Sequence, residues 1–289
     1  KAQSAANFRL VNSRVGLNMT IEEYKLLDET IKEGVDNGES IYHIVKSNPE
    51  LNISIPNVYR LINTHQLTTK RMDLPYAVRY KKRKAFKQYE YKENNRIDRT
   101  DRKYIDFLAF KHNHPHLFHV QMDFLGSVKT DKKSILTLTI PSLHYVMLFL
   151  IESPNSKKIS DIFNHLEISL TTKTFNQIFP FILTDRDPCF SQFDDLELSL
   201  ITGNKRTYLF YCDSFNSSQK ANVEQMNKQL RKFFPKGKSI DHFTKEEVKD
   251  INLIINKSRI ASLAGDAPNN AFLKLFGASS LAILTDILS

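Results

Sequence analysis

Phe118-His119-Val120-Gln121-Met122-Asp123-Phe124-Leu125 decides the fold, because it reads as a buried strand that nevertheless carries an acid. An ionised carboxylate inside an apolar strand costs several kcal/mol unless a cation or a partner compensates it. The anomaly recurs downstream. Asp185 ends the apolar run Phe179-Pro180-Phe181-Ile182-Leu183-Thr184. Glu224 lies in Gln219-Lys220-Ala221-Asn222-Val223-Glu224-Gln225-Met226-Asn227, at the opening of a helical pattern. Three acids at strand ends and on a helix suggest convergence on Mg2+, as a two-metal phosphoryl-transfer site requires.

The surrounding pattern supplies the sheet. The first strand extends over His116 to Phe124, and Ser134 to Ile140 and Tyr145 to Ile151 read as the next two, joined by Pro141-Ser142-Leu143-His144. Ser160 to Leu170 is a helix candidate, with Ile159, Ile162, Phe163, Leu166 and Leu170 on one side. Phe179 to Thr184 is a fourth strand and Arg206 to Tyr211 a fifth. Helices follow at about 217–233 and, capped by Thr244 with Glu246 and Glu247 in the first turn, at about 245–257. Three meandering strands followed by alternating helices and strands give an α/β fold. The expectation is an RNase H-like mixed sheet with helices on both faces over 113–265, and a C-terminal helical segment over 266–289.

Upstream the grammar is all-α. After a polar tail (1–19), Ile21, Tyr24, Leu27, Ile31 and Val35 recur at helical spacing behind Thr20. Ser40 to Lys46 is a second short helix, and Ser54 is placed to cap a third with Ile55, Val58, Leu61 and Ile62 inward. Three such helices over 20–69 fit a helix-turn-helix domain, although units of this size also serve as protein-binding domains. In the first case Ser54, Asn57, Tyr59, Arg60 and Asn63 on the third helix are residue types that bond to bases and phosphates. A basic linker (70–112) follows, containing Lys81, Lys82, Arg83 and Lys84. Residues 70–103 hold thirteen Lys/Arg against five acids, which accounts for +8 of the chain's net charge of +9. A stripe of this kind is an electrostatic footprint for a polyanion, most often nucleic acid, or else a solvated basic linker.

The composition, 41% hydrophobic and 25% charged, is that of a soluble globular protein. The apolar stretch Tyr145 to Ile151 is too short to cross a bilayer, so no membrane association is expected. Cys189 and Cys212 are the only cysteines and give neither a disulfide framework nor a zinc-ribbon spacing. A reducing, cytoplasmic setting is the simplest expectation. His112, His114, His116 and His119 resemble a metal cluster, but Pro115 breaks their spacing and they read as a solvated approach to the strand. Asp194, Asp195 and Glu197 read as surface charges, and Asp213 as a residue that structures the helix bearing Glu224.

These segments together resemble bacterial insertion-sequence transposases of the DDE class, of the IS-thirty type. The resemblance runs through Ser40-Ile41-Tyr42-His43-Ile44, Val58-Tyr59-Arg60-Leu61-Ile62, Asp73-Leu74-Pro75 and Val78-Arg79-Tyr80-Lys81-Lys82-Arg83-Lys84. It continues through Met122-Asp123 and Leu183-Thr184-Asp185. Its most specific stretch is Phe210-Tyr211-Cys212-Asp213, Ser217-Ser218-Gln219-Lys220, Glu224 and Leu230-Arg231-Lys232-Phe233-Phe234-Pro235-Lys236-Gly237. Asn256, Ser258-Arg259 and Ala267-Pro268 with Phe272 match the closing motif.

The resemblance implies an enzyme that binds inverted-repeat ends of double-stranded DNA and cleaves and joins strands into target DNA. It implies Asp123, Asp185 and Glu224 as catalytic and metal-holding residues, two Mg2+ ions with Mn2+ as a substitute, a homo-oligomer on DNA, and a bacterial, nucleoid-associated location. The pattern departs from the family after the second aspartate. Asp185-Arg186-Asp187-Pro188-Cys189-Phe190 stands where Asn-Gly is usual, and Pro188 pushes Asp187 toward extended conformations. Two further readings therefore remain: a catalytically decayed DNA-binding derivative, and a nuclease of the same fold that does not join strands.

Overall fold

The computed structural model describes residues 19–74, 98–126, 130–213 and 217–288, with the isolated residues 3 and 128. The chain divides into two compact units, 1–78 and 79–289.

In the first unit, α1 (Ile21–Asp36) opens on a capping box. The Thr20 hydroxyl accepts from the Glu23 N–H at 3.2 Å, and the Glu23 carboxylate accepts from the Thr20 N–H at 2.7 Å. Ser40 caps α2 (Ile41–Ser47) by accepting from the His43 N–H at 3.1 Å. A 3-10 turn (Pro49–Leu51) and left-handed Asn52 lead to α3 (Ile55–Asn63). Leu27, Ile31, Ile41, Ile44, Val58, Leu61 and Ile62 form the shared core. Gly34 is required where α1 meets α2, because a Cβ there would stand 2.6 Å from Ile44 Cγ1 and Cδ1. Ser54 holds the N-cap position of α3 in extended geometry, but its side chain caps nothing, which corrects the expected hydroxyl cap.

The second unit is built on one five-stranded sheet. It opens with α4 (Tyr104–Asn113), then β1 (His119–Leu125), β2 (Lys133–Ile140) and β3 (Tyr145–Glu152). Two helices follow, α5 (Ser156–Leu170) and α6 (Thr172–Ile178), then β4 (Phe181–Thr184), α7 (Phe193–Glu197) and β5 (Tyr208–Tyr211). The chain closes with α8 (Ala221–Leu230), α9 (Lys245–Lys257) and α10 (Pro268–Ile287). The strand order is β3-β2-β1-β4-β5. β1 to β3 form an antiparallel meander, while β4 is parallel to both β1 and β5. That order and those directions define an RNase H-like core.

Strand alternation sorts β1 between two layers. Val120 and Met122 face a core shared with Ile159, Phe163 and Leu166 of α5, Phe175 of α6 and Phe272 and Leu284 of α10. Leu125 faces the opposite layer, with Met226 and Leu230 of α8 and Val248, Ile251 and Ile255 of α9. Phe107 of α4 covers the β4–β5 end of that second face, against Phe181, Leu183 and Phe210. Helices thus lie on both faces.

Several boundaries differ from the sequence-based expectation. The segment expected as linker to residue 112 ends in α4, which packs on the sheet through Phe107. β4 starts at Phe181 because Pro180 has no N–H to give the ladder. β5 starts at Tyr208 because Arg206 is committed elsewhere. Its guanidinium is fully buried and pairs with Glu167 at 2.9 Å, and it also donates to Asn164 and to the carbonyls of Leu196 and Asp195. Glu197, expected as a surface charge, is buried and accepts from Arg102, Lys205 and the Leu209 N–H. α10 is long and apolar enough by length and composition to cross a membrane, at a mean hydropathy of 1.2. It breaks at Gly277 (φ 81°) and sends Phe272 and Leu284 into the sheet core, as a packing element does.

Candidate active site

Asp123 lies near the end of β1 and Asp185 immediately after β4. The parallel register pairs Gln121 with Leu183, and continued by two residues it brings the two aspartates level. Both belong to the face that α8 covers. Lys220 joins them: its Nζ donates to Asp123 Oδ1 and to Asp185 Oδ2, at 3.1 Å each. Asn227 donates from Nδ2 to Asp123 Oδ2 at 3.0 Å. Every Asp123 oxygen therefore has a partner, while its side chain is only 17% exposed.

The strands and helix are stitched around this pair. Thr184 Oγ1 donates to the Met122 carbonyl at 3.1 Å and Thr137 Oγ1 to the Asp123 carbonyl at 3.0 Å, which fixes the backbone on both sides of Asp123. Gln121, one turn of the pleat earlier on the same face, accepts from the Val223 N–H at 2.9 Å. Val223 is the third residue of α8, where an N–H has no intrahelical partner, and Lys220 at the N-cap supplies no side-chain cap. A strand side chain thus caps the helix that faces the aspartates. Asp213 and Gln219 exchange hydrogen bonds of 2.7 Å in the approach to α8, as expected of a residue that structures this helix.

The electrostatics follow from burial with few charges nearby. Burial pushes the Asp123 carboxyl up; Lys220 pulls it down and Asp185 pushes it up again. Burial alone would lower the Lys220 ammonium, but Asp123 and Asp185 outweigh it and hold Lys220 above the ordinary lysine range. The proton stays on the ammonium. Cys212, beside the pair, is pushed up to about 12, chiefly by burial, and remains a thiol.

With this geometry in place the chain can be compared with known proteins. No protein-family model matches it. A 75-residue stretch is similar to a putative integrase. That protein is ORF3 of Spiroplasma virus SpV1-R8A2 B, at 35% identity over 26% of this chain and 21% of the relative. The match thus spans about a fifth of the relative's length. Among solved structures, the catalytic core domain of BIV integrase aligns with 54% of this chain and 93% of its own, at 16% identity and a TM-score of 0.37.

The other sequence-derived candidates fall as follows. Glu224 is partly buried on α8. It lies four residues after Lys220 and three before Asn227, so it shares the helix face that reaches Asp123. Among the described residues no three of His, Cys, Asp or Glu form a ready metal-binding group. Ser54, Asn57, Tyr59, Arg60 and Asn63 are all exposed on or beside α3. Lys81, Lys82, Arg83 and Lys84 lie outside the described residues. His119 is half-buried, packed against Phe107 and Phe181, and His114 Nδ1 lies 2.9 Å from the Phe110 carbonyl.

The altered loop after Asp185 has a definite shape. Asp187 is extended (φ −59°, ψ 137°), and its carboxylate accepts from the Cys189 N–H at 2.8 Å. Its own N–H donates to Asp185 Oδ1 at 3.1 Å, so this loop orients the second aspartate. Arg186 Nε donates to the Cys212 carbonyl at 3.1 Å.

Sequence reasoning gave no role to Lys220, Gln121 or Asn227. Only the strand register and the placement of α8 reveal them. The donor set fits a hard divalent cation: two carboxylates already share one positive centre, and the buried Oδ1 of Asn227 has no hydrogen-bond partner.

Proposed function

We propose that the chain is a DDE-type polynucleotidyl transferase, a transposase that cleaves and joins DNA at the inverted-repeat ends of a mobile element. The observation that carries this reading is the pairing of Asp123 and Asp185 on adjacent parallel strands around a single cation. The short similarity to a putative integrase points the same way. Asp123 and Asp185 would hold Mg2+, with Glu224 joining them from α8. Two such ions would supply activation of a water or 3′-hydroxyl and stabilisation of the leaving oxygen.

The protein's own residues position this chemistry. Thr137 and Thr184 fix the backbone of Asp123, the Asp187 N–H orients Asp185, and Gln121 anchors α8. The first unit acts as a helix-turn-helix domain in this reading. Ser54, Asn57, Tyr59 and Arg60 on α3 contact bases and phosphates, and Lys81, Lys82, Arg83 and Lys84 contact the phosphate backbone. Joining two ends requires at least a dimer on DNA.

A strand-transfer assay with a matched end oligonucleotide and Mg2+ tests the proposal. Joined product is expected, with loss in Asp123→Ala, Asp185→Ala and Glu224→Ala. Cleavage that survives Asp123→Ala would sink the site. Cleavage without joining would make the protein a nuclease of the same fold. A second reading, a DNA-binding derivative without catalysis, is favoured by the lysine seated between the aspartates. It predicts end binding with no cleavage in Mg2+ or Mn2+.

A further inference from the structure

Lys220 stands where a cation is needed, and it does so with a hydrogen bond to each aspartate. Its side chain is 9% exposed, against 17% for Asp123 and 43% for Asp185, so the ammonium is the most deeply buried member of the trio. A divalent ion approaching from the exposed Asp185 side meets carboxylate oxygens already engaged by Nζ. An ammonium and a metal ion cannot share those oxygens at close range without strong repulsion.

The backbone at Lys220 suits movement. It ends the 3-10 turn Ser217–Lys220 and has non-helical angles (φ −116°, ψ 35°), while α8 begins one residue later. The lysine stem can swing at this junction while α8 keeps its anchor, because Gln121 holds the Val223 N–H independently. Asn227, which also engages Asp123, keeps a buried, unpartnered Oδ1 beside the pair.

We propose that Lys220 is a built-in counter-cation that holds Asp123 and Asp185 together in the metal-free protein and must be displaced for a divalent metal to bind. Lys220 is a positioning residue, and the inference rests on the proposed metal-dependent function. Its consequence is a threshold: the site loads only at metal concentrations that outcompete the lysine.

The test uses the full chain, with Mg2+ and Mn2+ as probes, in titration calorimetry of the wild type, Lys220→Met and Lys220→Arg. Met keeps the stem and removes the charge. Lys220→Met is expected to bind metal roughly tenfold more tightly than the wild type, and Lys220→Arg no more tightly than the wild type. In the wild type, acylation of Lys220 by an amine-reactive ester, followed by mass spectrometry, should rise several-fold when metal is added. That arm holds even where a variant fails to fold. Equal or weaker metal binding by a folded Lys220→Met, or labelling indifferent to metal, overturns the proposal. Metal binding by Lys220→Met alone supports it and makes Lys220 a permanent plug, in line with the non-catalytic reading. Absence of binding in all three proteins overturns both this inference and the metal-dependent function.

Discussion

Gln121→Leu isolates the contact that ties α8 to the strand carrying Asp123. Gln121 is 3% exposed and its amide oxygen accepts the Val223 N–H at 2.9 Å. Leucine fills a similar volume, so little cavity is expected, but the Val223 N–H loses its acceptor in a place that water does not reach. Val223 itself is fully buried. An unsatisfied buried donor costs about 1–3 kcal/mol, overlapping the roughly 0.5–2 kcal/mol lost when a helix loses its N-cap. For a unit of this size each kcal/mol lowers Tm by about 2–4 °C, so a fall of roughly 2–12 °C is expected. The specific readout is hydrogen exchange at the Val223 amide, which should accelerate well before the sheet amides of Val120 or Ile182. Because Glu224 and Asn227 ride on this helix and Lys220 leads into it, strand transfer should fall further than the fraction folded does. A Val223 amide that exchanges at the wild-type rate in Gln121→Leu would refute the tertiary cap and with it the positioning role.

Three other outcomes follow from buried groups. Asn256 on α9 is 1% exposed and bonds both backbone groups of Val146, on the edge strand β3, at 3.0 and 2.7 Å. Asn256→Ala should cost roughly 2–5 kcal/mol in urea unfolding by stranding both; a loss within 0.5 kcal/mol, the size ordinary for a surface change, would contradict that. Glu167→Ala leaves the Arg206 guanidinium buried without its carboxylate and should destabilise by about 3–5 kcal/mol. Adding Arg206→Met should recover part of the loss in the same assay, and no recovery would count against an uncompensated charge as the cause. His119 is lowered to about 4, by burial first and the Lys111 cation second. The unfolded chain therefore binds its proton at higher pH than the folded one, so this contribution is complete above pH 6.5 and is lost as pH falls toward 4. Urea midpoints across that window should fall more steeply in the wild type than in His119→Phe; parallel curves would exclude His119 from the acid limb.

Much of the sheet was readable because β-branched and aromatic runs do not need tertiary context to declare themselves. The α9 boundaries were readable to the residue, since Thr244 and Glu247 form a capping box that the sequence displays. α4 was hidden because basic residues continue up to Lys103, and of its own residues only Phe107 is buried. Lys220 was hidden for a different reason. A lysine in Ser217-Ser218-Gln219-Lys220 has the signature of a solvated turn, and only the register of β1 against β4 shows that two carboxylates converge on it. Glu197 was misread for the same cause: Arg102, some 95 residues away in sequence, supplies its partner.

The energetic anomaly of the three acids is resolved differently for each. Asp123 is satisfied by Lys220 and Asn227, Asp185 by Lys220, the Asp187 N–H and partial exposure, and Glu224 by its partly solvated place on α8. No acid in the site needs a metal ion for the fold to tolerate it. This separates the protein from structural metal sites, where binding free energy is folding free energy and chelators unfold the chain. Chelation should therefore leave the melting temperature of the wild type nearly unchanged while abolishing strand transfer. In Lys220→Met the aspartates face one another without a counter-charge, and the same chelator should now lower Tm, because metal has become their only compensation. A chelator that unfolds the wild type would show that Lys220 does not neutralise the pair. The metal would then be the element that lets a carboxylate sit in β1.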